Sequence, residues 1–287
     1  MVLNGAEALA IPTRFGQYLH IQKIQVSSLL IWNSFDETGS CWFKAEINSE
    51  SLVVVTTSDE QVSEKLIEIL QIAKKLNPTF LSNSEGYQVE TKLDFPRNWG
   101  LGTSSTLINN IAQWAEVNPY QLLDLSFGGS GYDIAAAIHS DPILYRRTDS
   151  EPRVNSLHLN WDFTSHLFFV HLNKKKDSKE GIARYRSQSQ DENQVLSEID
   201  KLTSEIVTCE SLDHFEDLIF QHEAIISEMI QIPTCKSEHF RDYPGAIKSL
   251  GAWGGDFILA TGPEKNKEYF IQKGYTTILS FEEMIKQ

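Results

Sequence analysis

The sequence predicts an α+β protein in two domains, and three observations carry that expectation. Short runs rich in β-branched and aromatic residues alternate with polar turns through the first third of the chain. Helical stretches with apolar residues at three- and four-residue spacing are interleaved with those runs. The texture then changes near Trp161, where a strongly apolar strand opens a second half dominated by longer helical patterns. At 287 residues the chain has room for two cores of ordinary size. The expected division is residues 1–160 and residues 161–287.

In the first domain, strands are expected at Ile24–Trp32, Cys41–Ile47, Ser51–Thr56 and Tyr87–Leu93. A helix from about Asp59 to Leu76 separates the last two. Ser58 is its expected cap, with Gln61 as the capping-box partner, and Asn77-Pro78 ends it. Val62, Leu66, Ile69, Leu70 and Ala73 share one face of that helix, which should pack on the sheet. A second helix is expected from about Ser104 to Val117, a short one at Pro119–Leu125 and a small-residue one at Asp133–His139. Strands at Ile143–Arg147 and Arg153–Leu159 complete the domain. In the second, a strand at His166–Leu172 precedes helical patterns at Glu180–Arg186, Glu192–Thr208, Asp213–Ile230 and Tyr243–Leu250. A strand at Asp256–Thr261, a helix at Pro263–Lys273, a strand at Tyr275–Leu279 and a closing helical turn follow.

Composition narrows the function. The hydrophobic fraction of 41% and charged fraction of 22% are those of a soluble globular protein. No apolar run reaches the roughly 18 residues of a membrane span, and Met1–Gly5 has neither the basic start nor the apolar core of a signal peptide. A net charge of −14 repels polyanions, so nucleic acid is not an expected partner; without a spanning run, neither is a membrane. Cys41, Cys209 and Cys235 form no C-x-x-C pair and read as idle thiols of a cytoplasmic protein. The eight histidines show no metal-ligand spacing.

Three glycine-bearing segments are candidates for chemistry. Pro96-Arg97-Asn98-Trp99-Gly100-Leu101-Gly102-Thr103-Ser104-Ser105 joins a strand to a helix. Glycines there let backbone approach a ligand, and the helix start aims unpaired N–H groups at an anion, with three hydroxyls as further donors. A well-capped helix start explains the same string equally well. In Gly128-Gly129-Ser130-Gly131-Tyr132-Asp133, the aspartate at a helix mouth can accept a substrate proton; an ordinary helix-capping aspartate is the commoner case. Gly251-Ala252-Trp253-Gly254-Gly255-Asp256 carries more glycine than a helix C-cap requires.

Taken in this order, the three segments resemble the motifs of the GHMP kinases, with a branch named for its Gly-Tyr-Asp-Ile-Ala string matching at Gly131–Ala135. The first resembles that superfamily's nucleotide loop, with Pro96 in register; the second, the stretch carrying the catalytic aspartate of mevalonate and phosphomevalonate kinases; the third, the C-terminal glycine motif. The resemblance implies a domain like the second domain of ribosomal protein S5, followed by a ferredoxin-like domain. It implies ATP and Mg²⁺ as cofactors and a small-molecule acceptor such as mevalonate or phosphomevalonate. Pro96, Gly100, Leu101, Gly102, Thr103, Ser104 and Ser105 would hold the nucleotide, Ser104 also the metal, and Asp133 would act on the acceptor hydroxyl. Ser130, Gly131, Gly251, Ala252, Gly254 and Gly255 would border the acceptor. Three departures accompany it. The first family motif is matched only from Val2-Leu3-Asn4-Gly5-Ala6 onward, which implies a misplaced start or a truncated chain. Leu122 stands where some relatives have a Mg²⁺-binding glutamate, and Trp253 where the motif has glycine. A catalytically degenerate nucleotide- or partner-binding protein is the alternative expectation, and ATP-dependent decarboxylation a third.

Overall fold

The computed structural model describes residues 1–174, 192–251 and 256–286. They form two compact units. The first comprises Phe15–Arg97 and Leu101–Ile138; the second comprises Met1–Arg14, Asn98–Gly100 and His139–Gln287. The opening residues join the second half of the chain because strand β1 (Ala8–Ala10) pairs in antiparallel register with a late strand, Ala10 facing Ile143.

The first unit is a five-stranded sheet covered by helices. Its strands are β2 (Gln17–Ile24), β3 (Leu29–Phe35), β4 (Cys41–Asn48), β5 (Val54–Thr57) and β6 (Gly86–Leu93), in the order β2-β6-β3-β4-β5. Only β3 and β6 run parallel. The single strand expected at Ile24–Trp32 is two: Ser28 turns the chain at a left-handed φ of 54°, and β6 lies between the halves. Alternation then sets the faces. Leu30, Trp32, Phe43, Ala45, Ile47 and Val89 are buried in one core. Buried Ser34 is tolerated there because its Oγ accepts the Trp32 indole N–H at 3.1 Å.

Helix α1 (Glu60–Leu76) lays Leu66, Ile69, Leu70 and Ala73 on that sheet, as the spacing predicts. Its cap is Asp59, whose carboxylate accepts the Val62 N–H at 3.1 Å, in place of the expected Ser58. The Ser58 hydroxyl is already engaged, accepting the Lys44 N–H of β4 at 3.0 Å. Helices α2 (Thr103–Ala115), α3 (Pro119–Leu125) and α4 (Tyr132–Ile138) complete the same core with Ile108, Ile111, Leu122 and Ile134.

In the second unit, β7 (Ile143–Arg146) lies between β1 and β8 (Arg153–Ser156) in a three-stranded sheet. A four-stranded antiparallel sheet is built from β9 (Leu167–His171), β10 (Ile247–Ser249), β11 (Phe257–Thr261) and β12 (Ile278–Ser280), ordered β10-β11-β9-β12. Helices α5 (Glu192–Val207), α6 (Leu212–Ile230) and α7 (Cys235–His239) lie between β9 and β10 in sequence; α8 (Lys267–Gln272) precedes β12 and α9 (Phe281–Met284) follows it. Central β9 is buried along its whole length. Leu167 packs with Trp161, Phe163 and Phe215, while Phe168 and Val170 pack with Phe240, Tyr243 and Phe270.

The helix expected at Tyr243–Leu250 is absent. Pro244-Gly245 breaks a helix there, and Ile247 pairs with Ala260 as strand β10. Thr261 fixes the approach, its carbonyl taking the Tyr243 hydroxyl at 2.6 Å and its Oγ1 the Ala246 N–H at 2.7 Å. The pattern expected at Glu180–Arg186 lies outside the described residues. Among those described, no helix is long and apolar enough to cross a membrane.

Candidate functional site

The glycine loop begins where β6 ends, at buried Phe95. Pro96 is half-buried, and the guanidinium of exposed Arg97 stacks over the Trp42 ring, 3.6 Å from its centre. That contact ties the upstream end of the loop to the first unit.

The next three residues belong to the second unit and are held by β9 and β11. The carbonyl of Asn98 accepts a hydrogen bond from His171 Nε2 at 3.0 Å. A carbonyl cannot donate, so the His171 proton is on Nε2. Trp99 stands edge-on to Phe257, ring centres 5.5 Å apart. Gly100 has φ +65°, and a Cβ there would fall inside the van der Waals envelope of the Asp256 carboxylate. Both the conformation and the contact require glycine. Sequence reasoning passed over His171 and gave Asp256, the end of the third glycine motif, no role. A histidine within an apolar strand was the available signal for the first, and the acid closing a glycine motif for the second.

Downstream, Gly102 occupies the N-cap of α2 with φ 73°, and no side chain caps the helix. Serine and threonine therefore do not cap here, and the first N–H groups of a 13-residue helix lack side-chain acceptors. Thr103 and Ser105 are half-buried and Ser104 is exposed on the first turn. The helix is oriented from its second turn by Thr106, whose hydroxyl donates to Gln17 Oε1 at 2.8 Å, and by Asn110, whose amide donates to the Gln17 carbonyl at 2.9 Å.

Asp133 lies in the same unit, on the first turn of α4, which packs against α2. A Cβ built on Gly102 would stand 3.9 Å from Asp133 Cβ and 4.0 Å from its carboxyl carbon. The aspartate therefore stands against the α2 start. It is not a cap: the carbonyl of Gly131 (φ +86°) already accepts the Ala135 N–H at 3.1 Å, which puts Gly131 at the capping position. Burial pushes the Asp133 carboxyl up to about 6, against an opposing hydrogen bond from Tyr132. The Asp133 charge in turn, with burial, raises the Tyr132 phenol. Ser130 is half-buried in the turn before α4.

Of the third motif, Gly251 is exposed at φ 62°; Ala252, Trp253, Gly254 and Gly255 lie outside the described residues. A phosphate-bearing acceptor would want basic side chains near Asp133, and Arg146, Arg147, Lys174–Lys176 and Arg184 are the candidates in the sequence; Arg146 is committed elsewhere. It donates to the Gly5 carbonyl at 2.6 Å and pairs with Asp200 at 2.9 Å and Glu7 at 3.6 Å. Arg146→Ala should lower stability by about 1–2 kcal/mol in urea unfolding, because a half-buried network loses its cation. A rise confined to acceptor KM would return Arg146 to the site. Of the other basic candidates, Lys175, Lys176 and Arg184 lie outside the described residues, Lys174 is exposed and Arg147 is half-buried. Leu122 is fully buried in the first core, so an acid at that position would have to displace packed side chains. Asp124 is exposed.

No family model matches the sequence, and no curated protein does. Solved structures do match. The Methanococcus jannaschii mevalonate kinase superposes with TM-score 0.67 at 13% identity, covering 97% of this chain and 92% of that one. The L. major mevalonate kinase in complex with R-mevalonate gives 0.66 at 14% identity, over 97% and 90%. The Lactococcus lactis galactokinase complexed with galactose gives 0.64 at 13% identity, over 99% and 89%. The chain has the α+β fold of these GHMP kinases.

Proposed function

We propose that this chain is an ATP-dependent small-molecule kinase that passes the γ-phosphoryl group to mevalonate or phosphomevalonate. The observation that carries the reading is the uncapped start of α2, behind a left-handed glycine, with the Asp133 carboxyl about 4 Å from where a Gly102 side chain would begin. Free N–H groups favour phosphate, and an acid next to that phosphate suits proton transfer from an acceptor.

In this mechanism Gly100, Leu101, Gly102, Thr103, Ser104 and Ser105 wrap the phosphates, with Pro96 setting the turn. The acceptor oxygen attacks the γ-phosphorus, ADP leaves, and a hydroxyl acceptor's proton passes to Asp133. Ser130 and Gly131 border the acceptor, with Gly251, Ala252, Gly254 and Gly255 assigned beside it by resemblance alone. Ser104 offers an exposed hard oxygen on the first turn and fits a Mg²⁺ ligand. When bound, Mg²⁺ neutralises charge on the phosphate oxygens. The order β10-β11-β9-β12, with α5–α7 and α8 as its crossovers, supports a ferredoxin-like second domain, and the helix-covered five-stranded sheet supports an S5-like first one. The proposed setting is cytoplasmic.

The test is Mg-ATP turnover with mevalonate and phosphomevalonate, alongside calorimetric titration of ATP. An intact protein that binds no ATP ends the kinase reading. ATP binding without phosphoryl transfer favours the degenerate alternative, for which the buried Leu122 is the specific observation. Carbon dioxide release would mark a decarboxylase. His171→Ala should cost about 1–3 kcal/mol of stability and weaken ATP binding, because the Asn98 carbonyl loses its donor. Calorimetry on that variant checks this, and unchanged affinity would remove His171 from loop positioning.

A further inference from the structure

The second unit holds an acid that the scheme above does not use. Asp256 stands immediately before β11, fixed through its backbone carbonyl, which accepts the Leu172 N–H at 2.8 Å. One carboxylate oxygen, Oδ2, abuts the backbone of Gly100. The other, Oδ1, is buried with no hydrogen-bond partner among the described residues. A buried carboxylate oxygen without a donor is costly and rarely tolerated unless something else satisfies it. Its place sharpens the question. A loop that binds phosphate should not carry a carboxylate against its own glycine, because the two charges repel. A proton or a cation between them removes the conflict.

We propose that Asp256 is a ligand of the divalent cation that accompanies the nucleotide, contacting it through Oδ1 at the Gly100 turn. This deepens the kinase reading and rests on it for the identity of the anion. Among the described residues no cluster of three or more histidine, cysteine, aspartate or glutamate side chains can hold a metal. A magnesium-type site needs none, since that ion is commonly held by one or two carboxylates together with substrate phosphates and water. Gly100 is then glycine for a chemical reason: any side chain would push the acid off its position.

The test compares wild type with Asp256→Asn, a near-isosteric change, on the full chain. ATP is titrated by calorimetry in Mg²⁺ and again in EDTA, and Mn²⁺ alone is titrated by electron paramagnetic resonance. The expected result is a loss of about 10–100-fold in affinity for Mn²⁺ and for Mg-ATP. Affinity for metal-free ATP should be unchanged or higher, because a like charge has gone. A second arm leaves Asp256 intact. Terbium emission excited through tryptophan should appear in wild type and fall in Trp99→Phe, since Trp99 adjoins Gly100 in the chain and touches Phe257. Equal losses for both forms of ATP, or no change in Mn²⁺ binding, would overturn the assignment. Mn²⁺ bound through Asp256 in a protein that binds no ATP would sink the kinase reading and leave the metal site standing.

Discussion

Asp133→Asn should abolish most turnover while making the folded protein more stable. As the proton acceptor, Asp133 contributes roughly 10²–10⁴-fold to the rate, and asparagine keeps its shape but cannot take a proton. Stability moves the other way because burial holds the folded-state carboxyl at about 6, above the ordinary 3.8. In the unfolded chain the group ionises near 3.8. Between these values the native state binds more protons than the unfolded one, so stability falls as pH rises and the penalty is complete above about pH 6. Below about pH 4 both states are protonated and the penalty vanishes. At pH 8 the variant should therefore gain up to about 3 kcal/mol in urea unfolding, with little difference at pH 4. The same titration predicts that wild-type kcat/KM rises through about pH 6 and then levels, as expected for a base in the free enzyme. A variant that keeps its turnover removes Asp133 from the chemistry. One that loses turnover and stability together makes it a structural residue.

The sequence already carried these elements where one face of an element meets one core. The 3.6-residue rhythm of α1 and the two-residue rhythm of β4 were readable because each packs on a single apolar surface. Reading failed where tertiary pairing decides. The stretch from Ala246 to Ser249 is too short for its period to separate strand from helix, and what makes it β10 is β11, Ile247 opposite Ala260. The run from Ile24 to Trp32 looked continuous because nothing local announces the left-handed turn at Ser28, a residue type that seldom adopts it. Helix α7 was overlooked although its signal was present: Thr234 caps it through the Ser237 N–H at 3.1 Å. Within the site, motif order marked the glycines and Asp133. It could not rank serine capping against phosphate binding at Gly100–Ser105, because both call for the same residue types; that no side chain caps α2 at Gly102 is visible only in three dimensions. Asp256 was visible as a letter and silent as a role, since a carboxylate's missing partner exists only in three dimensions.

Gly100→Ala should be far more damaging than Gly102→Ala, although both residues are left-handed and only two positions apart. At Gly102, φ is 73° and an added Cβ meets nothing closer than 3.9 Å, so alanine suffers the conformational penalty alone, about 1–2 kcal/mol. At Gly100 the same penalty applies, and the methyl group must also displace Asp256, whose backbone is fixed at the head of β11. A total of about 3–4 kcal/mol follows, in the range of a severe single substitution. The excess belongs to the Gly100–Asp256 contact and is testable as a coupling. In the double variant Gly100→Ala with Asp256→Gly, the obstructing carboxylate is gone. Stability should recover by about 1–2 kcal/mol relative to the additive sum, the signature of residues in contact. Mg-ATP affinity should not recover with it, because the proposed metal ligand has been removed. Additive stabilities would show that the two residues do not press on each other. Recovery of affinity together with stability would mean that Asp256 shapes the loop and binds nothing.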